Sequence, residues 1–350
     1  AVVVQVVHKL NMGVGLGALL VTLFAGFTEY MPGRNRGTWS SRVSFIGNWS
    51  YPLCSLIAMG LTPLISAEWN WRVQLLIPAI LSLIATALAW RYFPESPRWL
   101  ESRGRYQEAE KVMRSIEEGV IRQTGKPLPP VVIADDGKAP QAVPYSALLT
   151  GVLLKRVILG SCVLIAMNVV QYTLINWLPT IFMTQGINLK DSIVLNTMSM
   201  FGAPFGIFIA MLVMDKIPRK TMGVGLLILI AVLGYIYSMQ TSMLLITLIG
   251  FFLITFVYMY VCYASAVYVP EIWPTEAKLR GSGLANAVGR ISGIAAPYAV
   301  AVLLSSYGVT GVFILLGAVS IIVAIAIATI GIETKGVSVE SLSIDAVANK

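Results

Sequence analysis

The sequence predicts an all-α protein that crosses a membrane many times. Three observations predict it. Hydrophobic residues make up 57% of the 350 and charged residues 12%, where an ordinary soluble domain is about 25% charged. Nine stretches are apolar over the roughly 20 residues that a helix needs to cross a bilayer. The basic residues between those stretches alternate without a break between rich and poor loops. A mean hydropathy of +0.77 agrees, and lipid is the solvent such a surface needs.

The nine expected spans are 10–30, 41–66, 73–92, 157–184, 192–214, 221–239, 243–268, 282–305 and 309–331. Pro52, Pro63, Pro179 and Pro204 fall inside them, and membrane helices tolerate proline where neighbours satisfy the freed backbone groups. The loop after the first span carries Arg34, Arg36 and Arg42, and the next only Arg72. The loop after span three carries eleven basic residues, from Arg91 to Arg156, and the next only Lys190. Lys216, Arg219 and Lys220 follow, then Lys278 and Arg280, then Lys335 and Lys350, with basic-free loops between. Twenty-one basic residues thus lie on one side and two on the other. The rich side is expected to be cytoplasmic. That placement accounts for the net charge of +8 without nucleic acid.

Four regions follow: 1–92 with three spans, a central loop at 93–154, 155–331 with six spans, and a tail at 332–350. The central loop reads as an amphipathic helix near 104–118 and a Pro- and Gly-containing linker. Cys54, Cys162 and Cys262 lie in apolar stretches and read as packing residues. With His8 the sole histidine and no phosphate loop, nucleophile elbow or metal-ligand cluster, neither a cofactor nor an enzymatic site is expected.

The two multi-span regions echo each other. Glu29 to Pro32, then Arg36-Gly37, matches Glu271 to Pro274, then Arg280-Gly281. Each copy is followed by two spans and an acidic signature, Glu95 in the first and Glu333 in the second. Such parallel repeats are expected of two six-helix halves related by an axis along the membrane normal. By that symmetry roughly 90 residues, about three spans, are absent before residue 1.

PESPRWL (94–100), followed by GRYQEAEKVM (104–113), resembles the signature after the sixth span of sugar porters and organic-ion transporters. DKIPRK (215–220) resembles their D-x-x-G-R-[RK] loop, with Pro218 where Gly is usual. Glu271 to Gly281 resembles the PE-x-x-P-x-x-x-R-x-x-G loop, and IETKG (332–336) the terminal PETKG. In combination these motifs resemble the sugar-transporter family of the major facilitator superfamily, closest to bacterial inner-membrane metabolite and proton symporters. The resemblance implies a major facilitator fold lacking about three N-terminal helices. It implies a monomeric secondary transporter of a small polar metabolite (organic acid, sugar or polyol) working by alternating access, with protons as coupling ion. A facilitated-diffusion uniporter and a non-transporting, receptor-like relative are the alternatives, with a membrane enzyme a distant third.

Glu29, Arg36, Glu95, Arg98, Asp215, Arg219, Glu271, Arg280 and Glu333 are expected to form a gating network, since carboxylates and guanidiniums at helix ends can pair bidentately between bundles. Polar residues at mid-depth are costly and are candidates for substrate contact. They are Asn168, Gln171, Tyr172 and Asn176 in span four, and Asn286 and Arg290 in span eight. Asn168 and Tyr172 share a helix face, as do Asn286 and Arg290. Asn48, Trp49, Asn196, Tyr260 and Tyr263 are lesser candidates. Hexose porters carry Q-Q-x-x-G-x-N-x-x-x-Y-Y in the matching helix. Asn168 and Tyr172 keep its last part, while Cys162, Val163 and Ala166 replace Gln, Gln and Gly. Lys9 stands where proton symporters of the family often have Arg.

Overall fold

The computed structural model describes residues 7, 10–15, 36–128, 144–214, 216–274 and 277–335. Among these, every regular element is a helix. The chain divides into two compact units, residues 1–40 with 72–137, and residues 41–71 with 138–350.

The first unit contains most of α3 (Ala67–Tyr92), then α4 (Pro97–Ser102) and α5 (Tyr106–Thr124). Helix α3 is long and apolar enough to cross a membrane, and none of the residues in that apolar length is buried. A helix of this kind is at rest only against lipid or other helices. Helix α5 is the amphipathic helix, beginning and ending slightly later than expected. Gly125, at φ 64, ends it, in the left-handed conformation that glycine adopts without strain. Ion pairs Arg105–Glu108 and Arg114–Glu110, both 2.6 Å, lie on its exposed side.

The second unit is a helical bundle. Its first segment is the greater part of α1 (Arg36–Asn48) and α2 (Ser50–Leu61). It continues with α6 (Tyr145–Leu148), α7 (Gly151–Thr184), α8 (Leu189–Met200) and α9 (Gly202–Val213). Then come α10 (Arg219–Ser238) and α11 (Met243–Val261). A π-helical turn (Cys262–Tyr268), the short α12 (Val269–Glu271) and α13 (Lys278–Ile330) complete it. Helix α13 packs along α7 and α10, and α9 along α11. The core is continuous from Leu148 to Ile327 and holds most of α7's buried side chains.

The expected spans differ from the helices in instructive ways. Span 10–30 lies mostly outside the described residues, with 10–15 helical. Span 41–66 is two helices, α1 and α2, interrupted at Trp49, and the chain turns at 62–64. Span 192–214 begins at Leu189, where the Asn188 side chain caps the helix by accepting from the Asp191 amide at 2.9 Å. It then breaks at Phe201, where α9 presses backbone to backbone on α11. A Cβ on Gly206 would sit 2.2 Å from the Thr255 carbonyl oxygen, and one on Gly202 2.4 Å from that of Phe251. The last two spans run together as α13, broken by a kink at Gly308 (φ 66, ψ −161). Cys162 is half-buried and Cys262 buried, as packing residues are, but Cys54 is exposed, so its expected packing role does not hold.

Candidate functional site

Two polar centres stand out in the second unit. The first lies at the end of the bundle where α9, α10, α12 and the chain after α13 meet. Arg219 opens α10 and is buried to 6% side-chain exposure, yet carries a full charge. It survives there because its fork is filled. Nε donates to Glu271 Oε2 at 3.0 Å and the second amino nitrogen to Glu271 Oε1 at 3.2 Å. The remaining amino group donates to the Met214 carbonyl. Such bidentate, charge-assisted bonds are the strong kind. Glu271 Oε2 also accepts from the Thr334 hydroxyl at 2.6 Å.

Glu333 serves the same helix differently. Its carboxylate accepts from the backbone amides of Arg219 at 2.8 Å and Lys220 at 3.2 Å. The first N–H groups of a helix have no intrahelical partner, and a carboxylate there also meets the positive end of the helix dipole. A third amide, that of Lys335, donates at 3.1 Å. Partial burial opposes ionisation of Glu333, but the three amides and the Arg219 charge outweigh it and hold the carboxyl below its ordinary value. The Lys335 ammonium reaches the Lys216 carbonyl at 2.6 Å. The Tyr268 hydroxyl donates to the Ile332 carbonyl and accepts from the Ile332 amide, both 3.0 Å. The segment Ile332–Lys335 is thereby strapped across the ends of α10 and the π turn.

Of the expected gating residues, Arg219, Glu271 and Glu333 come together. The Arg280 guanidinium lies 5.2 Å from the centroid of the Tyr145 ring, a cation–π distance. Glu95 belongs to the first unit. Glu29 and Asp215 lie outside the described residues, as do the side chains of Arg36 and Arg98.

The second centre lies between α7 and α13, with Arg290 exposed. Arg290 donates to the Tyr172 hydroxyl. One turn earlier on α7, Asn168 is buried at 2% exposure. Its Nδ2 donates to the Leu164 carbonyl at 2.7 Å, and its Oδ1 has no partner. Gly289 and Gly293 allow this close crossing. A Cβ on Gly289 would meet Asn168 Nδ2 at 3.0 Å, and one on Gly293 the Tyr172 ring at 3.1 Å. Gln171 is half-buried, while Asn176 and Asn286 are exposed. Asn286 returns its amide to the Ser282 carbonyl at 2.9 Å. Of the lesser candidates, Tyr260 donates to the Val163 carbonyl at 3.2 Å, a helix-to-helix tie.

The sequence between residues 10 and 297 matches the family model described as Major Facilitator Superfamily. The chain belongs to the major facilitator superfamily. It is 45% identical over 334 residues to the inner membrane metabolite transport protein YdjE of Escherichia coli (strain K12), covering 95% of this chain and 73% of that protein. It is 26% identical over 361 residues to the arabinose-proton symporter of Bacillus subtilis (strain 168), covering 95% and 72%. Among solved structures, the partially occluded inward-open conformation of the xylose transporter XylE from E. coli superposes with a TM-score of 0.67 at 20% identity. The match covers 93% of this chain and 70% of that one, and it carries the fold. Superfamily membership makes this protein a multi-pass membrane transporter and not an enzyme.

Three residues of this facilitator fold escaped sequence reasoning. Arg156, counted there as one loop charge among eleven, is buried and donates to the Ile272 carbonyl at 2.9 Å. The available signal was its place at the edge of an apolar run. Tyr258 and Tyr51 meet with ring centroids 5.2 Å apart at 63°. The Tyr258 hydroxyl is fully buried, with the side chains of Tyr51 and Gln171 as its hydrogen-bonding neighbours and Tyr172 close by. An aromatic residue in an apolar run carries no sequence mark that separates lining from packing.

Proposed function

We propose that the protein is a secondary active transporter of a small organic acid, coupled to protons and working by alternating access, with Arg290 as the anion anchor. One observation carries the reading: a guanidinium at mid-span on α13, held by Tyr172 of α7. A charge at that depth is unfavourable by roughly 3 kcal/mol even on the gentlest insertion scale, so it is retained for a partner. A phenol hydroxyl orients the guanidinium without neutralising it, which leaves its charge for a carboxylate. Asn168, Gln171, Tyr172, Asn176 and Asn286 complete the proposed substrate-facing set. Proton coupling is supported by the name of the arabinose-proton symporter among the relatives.

In this reading residues 1–92 and 155–331 belong to the two helical halves, and the basic-rich loop 93–154 and the tail lie in the cytoplasm. The charged centre of Arg219, Glu271 and Glu333 then lies at the cytoplasmic end of the second half. The test is uptake by cells expressing the whole protein. Arg290→Ala should abolish uptake of carboxylates while membrane insertion is kept. Arg290→Lys should weaken it, because a point charge cannot reproduce bidentate carboxylate recognition. Unchanged uptake by Arg290→Ala refutes the reading.

A further inference from the structure

The π turn aims one tyrosine at the segment that follows α13. Tyr263 and Tyr268 are five residues apart, which at about 100° per residue puts them about 140° apart around an α-helix. Here their rings stack, with centroids 5.0 Å apart and planes at 15°. A π turn closes its bonds between residues five apart, and so sets such residues one above the other. Both side chains are buried at 0% exposure, but only Tyr268 finds a partner for its oxygen. Its hydroxyl takes both backbone groups of Ile332, donating to the carbonyl and accepting from the amide at 3.0 Å each. Gly331 leaves room for it, since a Cβ there would lie 3.1 Å from the hydroxyl oxygen. The Tyr263 hydroxyl, in the same stack, has no hydrogen-bond partner.

The Ile332 carbonyl belongs to the planar peptide that joins Ile332 to Glu333. A bond to it fixes the plane from which the Glu333 side chain departs, and Glu333 accepts from the Arg219 and Lys220 amides at the start of α10. We propose that Tyr268 is a positioning residue of the charged centre: aimed by the π turn, its hydroxyl holds the Ile332–Glu333 peptide so that Glu333 caps α10. This rests on Glu333 as the cap and adds what keeps the cap in place. It also ties the backbone register of one span to the order of another. A return of Cys262–Tyr268 to α-helical register carries the hydroxyl away from Ile332 and uncaps α10.

Glu333 supplies a readout that packing alone does not move. The charged and titratable groups around its carboxylate are Arg219 of α10, Glu271 of α12, Lys335 beside it, and the phenols of Tyr263 and Tyr268. Its amide bonds and the Arg219 charge hold its carboxyl below the ordinary value. The cap is therefore complete above about pH 4.3 and is lost as pH falls through the folded value.

The experiment is hydrogen exchange across 216–225 in the whole protein in detergent, corrected for the intrinsic rate at each pH. Tyr268→Phe deletes one oxygen and keeps the stacked ring. It should speed exchange at pH 7 by about fivefold, the worth of a typical hydrogen bond, and shrink the rise below about pH 4 by the same factor, because the cap it would lose is already loosened. Tyr263→Phe removes a hydroxyl from the same stack and should change neither. Added to Glu333→Ala, Tyr268→Phe should speed exchange by less than about twofold further, since both act on the same two amides. Parent exchange and an unchanged acid rise in Tyr268→Phe, with Glu333→Ala active, overturn this proposal and leave the cap standing. A double variant in which the two effects multiply overturns it as well, as does a Tyr263→Phe effect equal to that of Tyr268→Phe. An inert Glu333→Ala overturns both the cap and the positioning role.

Discussion

Replacing Glu333 by alanine should loosen the start of α10 in a way that can be counted. The carboxylate lies 114 residues from Arg219 in sequence and still acts as its cap, taking the amides of Arg219 and Lys220 at 2.8 and 3.2 Å. Losing a capping side chain costs about 1 kcal/mol, and losing a negative charge at a helix N-terminus roughly 0.3–1 kcal/mol more. The sum is about 1.3–2 kcal/mol for local opening, which at 1.4 kcal/mol per factor of ten is roughly eight- to thirtyfold. Hydrogen exchange in detergent, read on peptides across 216–225, measures it directly. Glu333→Ala should speed exchange there by that factor and leave the interior of α11 unchanged. Glu333→Gln, which keeps one acceptor oxygen and loses the charge, should fall between. Exchange at 216–225 unaltered by Glu333→Ala would refute the capping argument, because no other change removes the acceptor from both amides.

The same carboxyl gives a pH signature. Its folded pKa is depressed, so its contribution is present above the unfolded value of about 4.3 and is lost as pH falls through the folded value; exchange at 216–225 should therefore rise below about pH 4 in the parent and much less in Glu333→Gln. Gly206→Ala should destabilise the bundle at the upper end of the roughly 1–3 kcal/mol seen for overpacking, because its Cβ would be 2.2 Å from a backbone oxygen that cannot rotate away. Gly225→Ala, where a Cβ meets nothing within 4 Å, is the control in thermal unfolding, and equal midpoints would sink the packing argument. Lys126→Cys, in a background without the three native cysteines, should resist an impermeant thiol reagent in intact cells and react after permeabilisation; labelling from outside would reverse the topology.

Much of the fold was legible because bilayers impose coarse rules. Apolar length and the Lys/Arg alternation are properties of the chain alone, and they located most of the helices. The interruptions at Trp49 and Phe201 were not legible. At Phe201 the break accompanies a backbone contact with α11 across Gly202 and Gly206, and glycine in an apolar run looks alike whether or not another helix touches it. Motif spacing singled out Arg219, Glu271 and Glu333, but it did not name their partners. Most of those beyond the Arg219–Glu271 pair are backbone groups, the Met214 carbonyl and the amides of Arg219, Lys220 and Lys335, and any residue could have supplied them. Arg156 was hidden by the very rule that worked elsewhere: a basic residue beside a span counts as topology until a buried carbonyl such as that of Ile272 is found on it.

The partners of the charged centre bear on how it can act. Pairing between bundles would make it a latch that opens in every cycle. The contacts made by Arg219, Glu271 and Glu333 join the end of α9, the start of α10, the turn after the π segment and the chain after α13, all within one unit. Opening them would strand a buried guanidinium together with helix-start amides, and a hydrogen bond to a charged group is worth about 1.5–3 kcal/mol. A centre built this way ties those four segments to one another at the end of the bundle. The mid-span centre has the opposite character. Its guanidinium is oriented by a neutral phenol, and the buried amide oxygen of Asn168, one turn away on α7, remains unpaired. In the alternating-access reading proposed above, rigid pairing at the bundle end supplies a fixed frame, and the unpaired amide oxygen between α7 and α13 belongs to a site that gains more from the substrate than from itself.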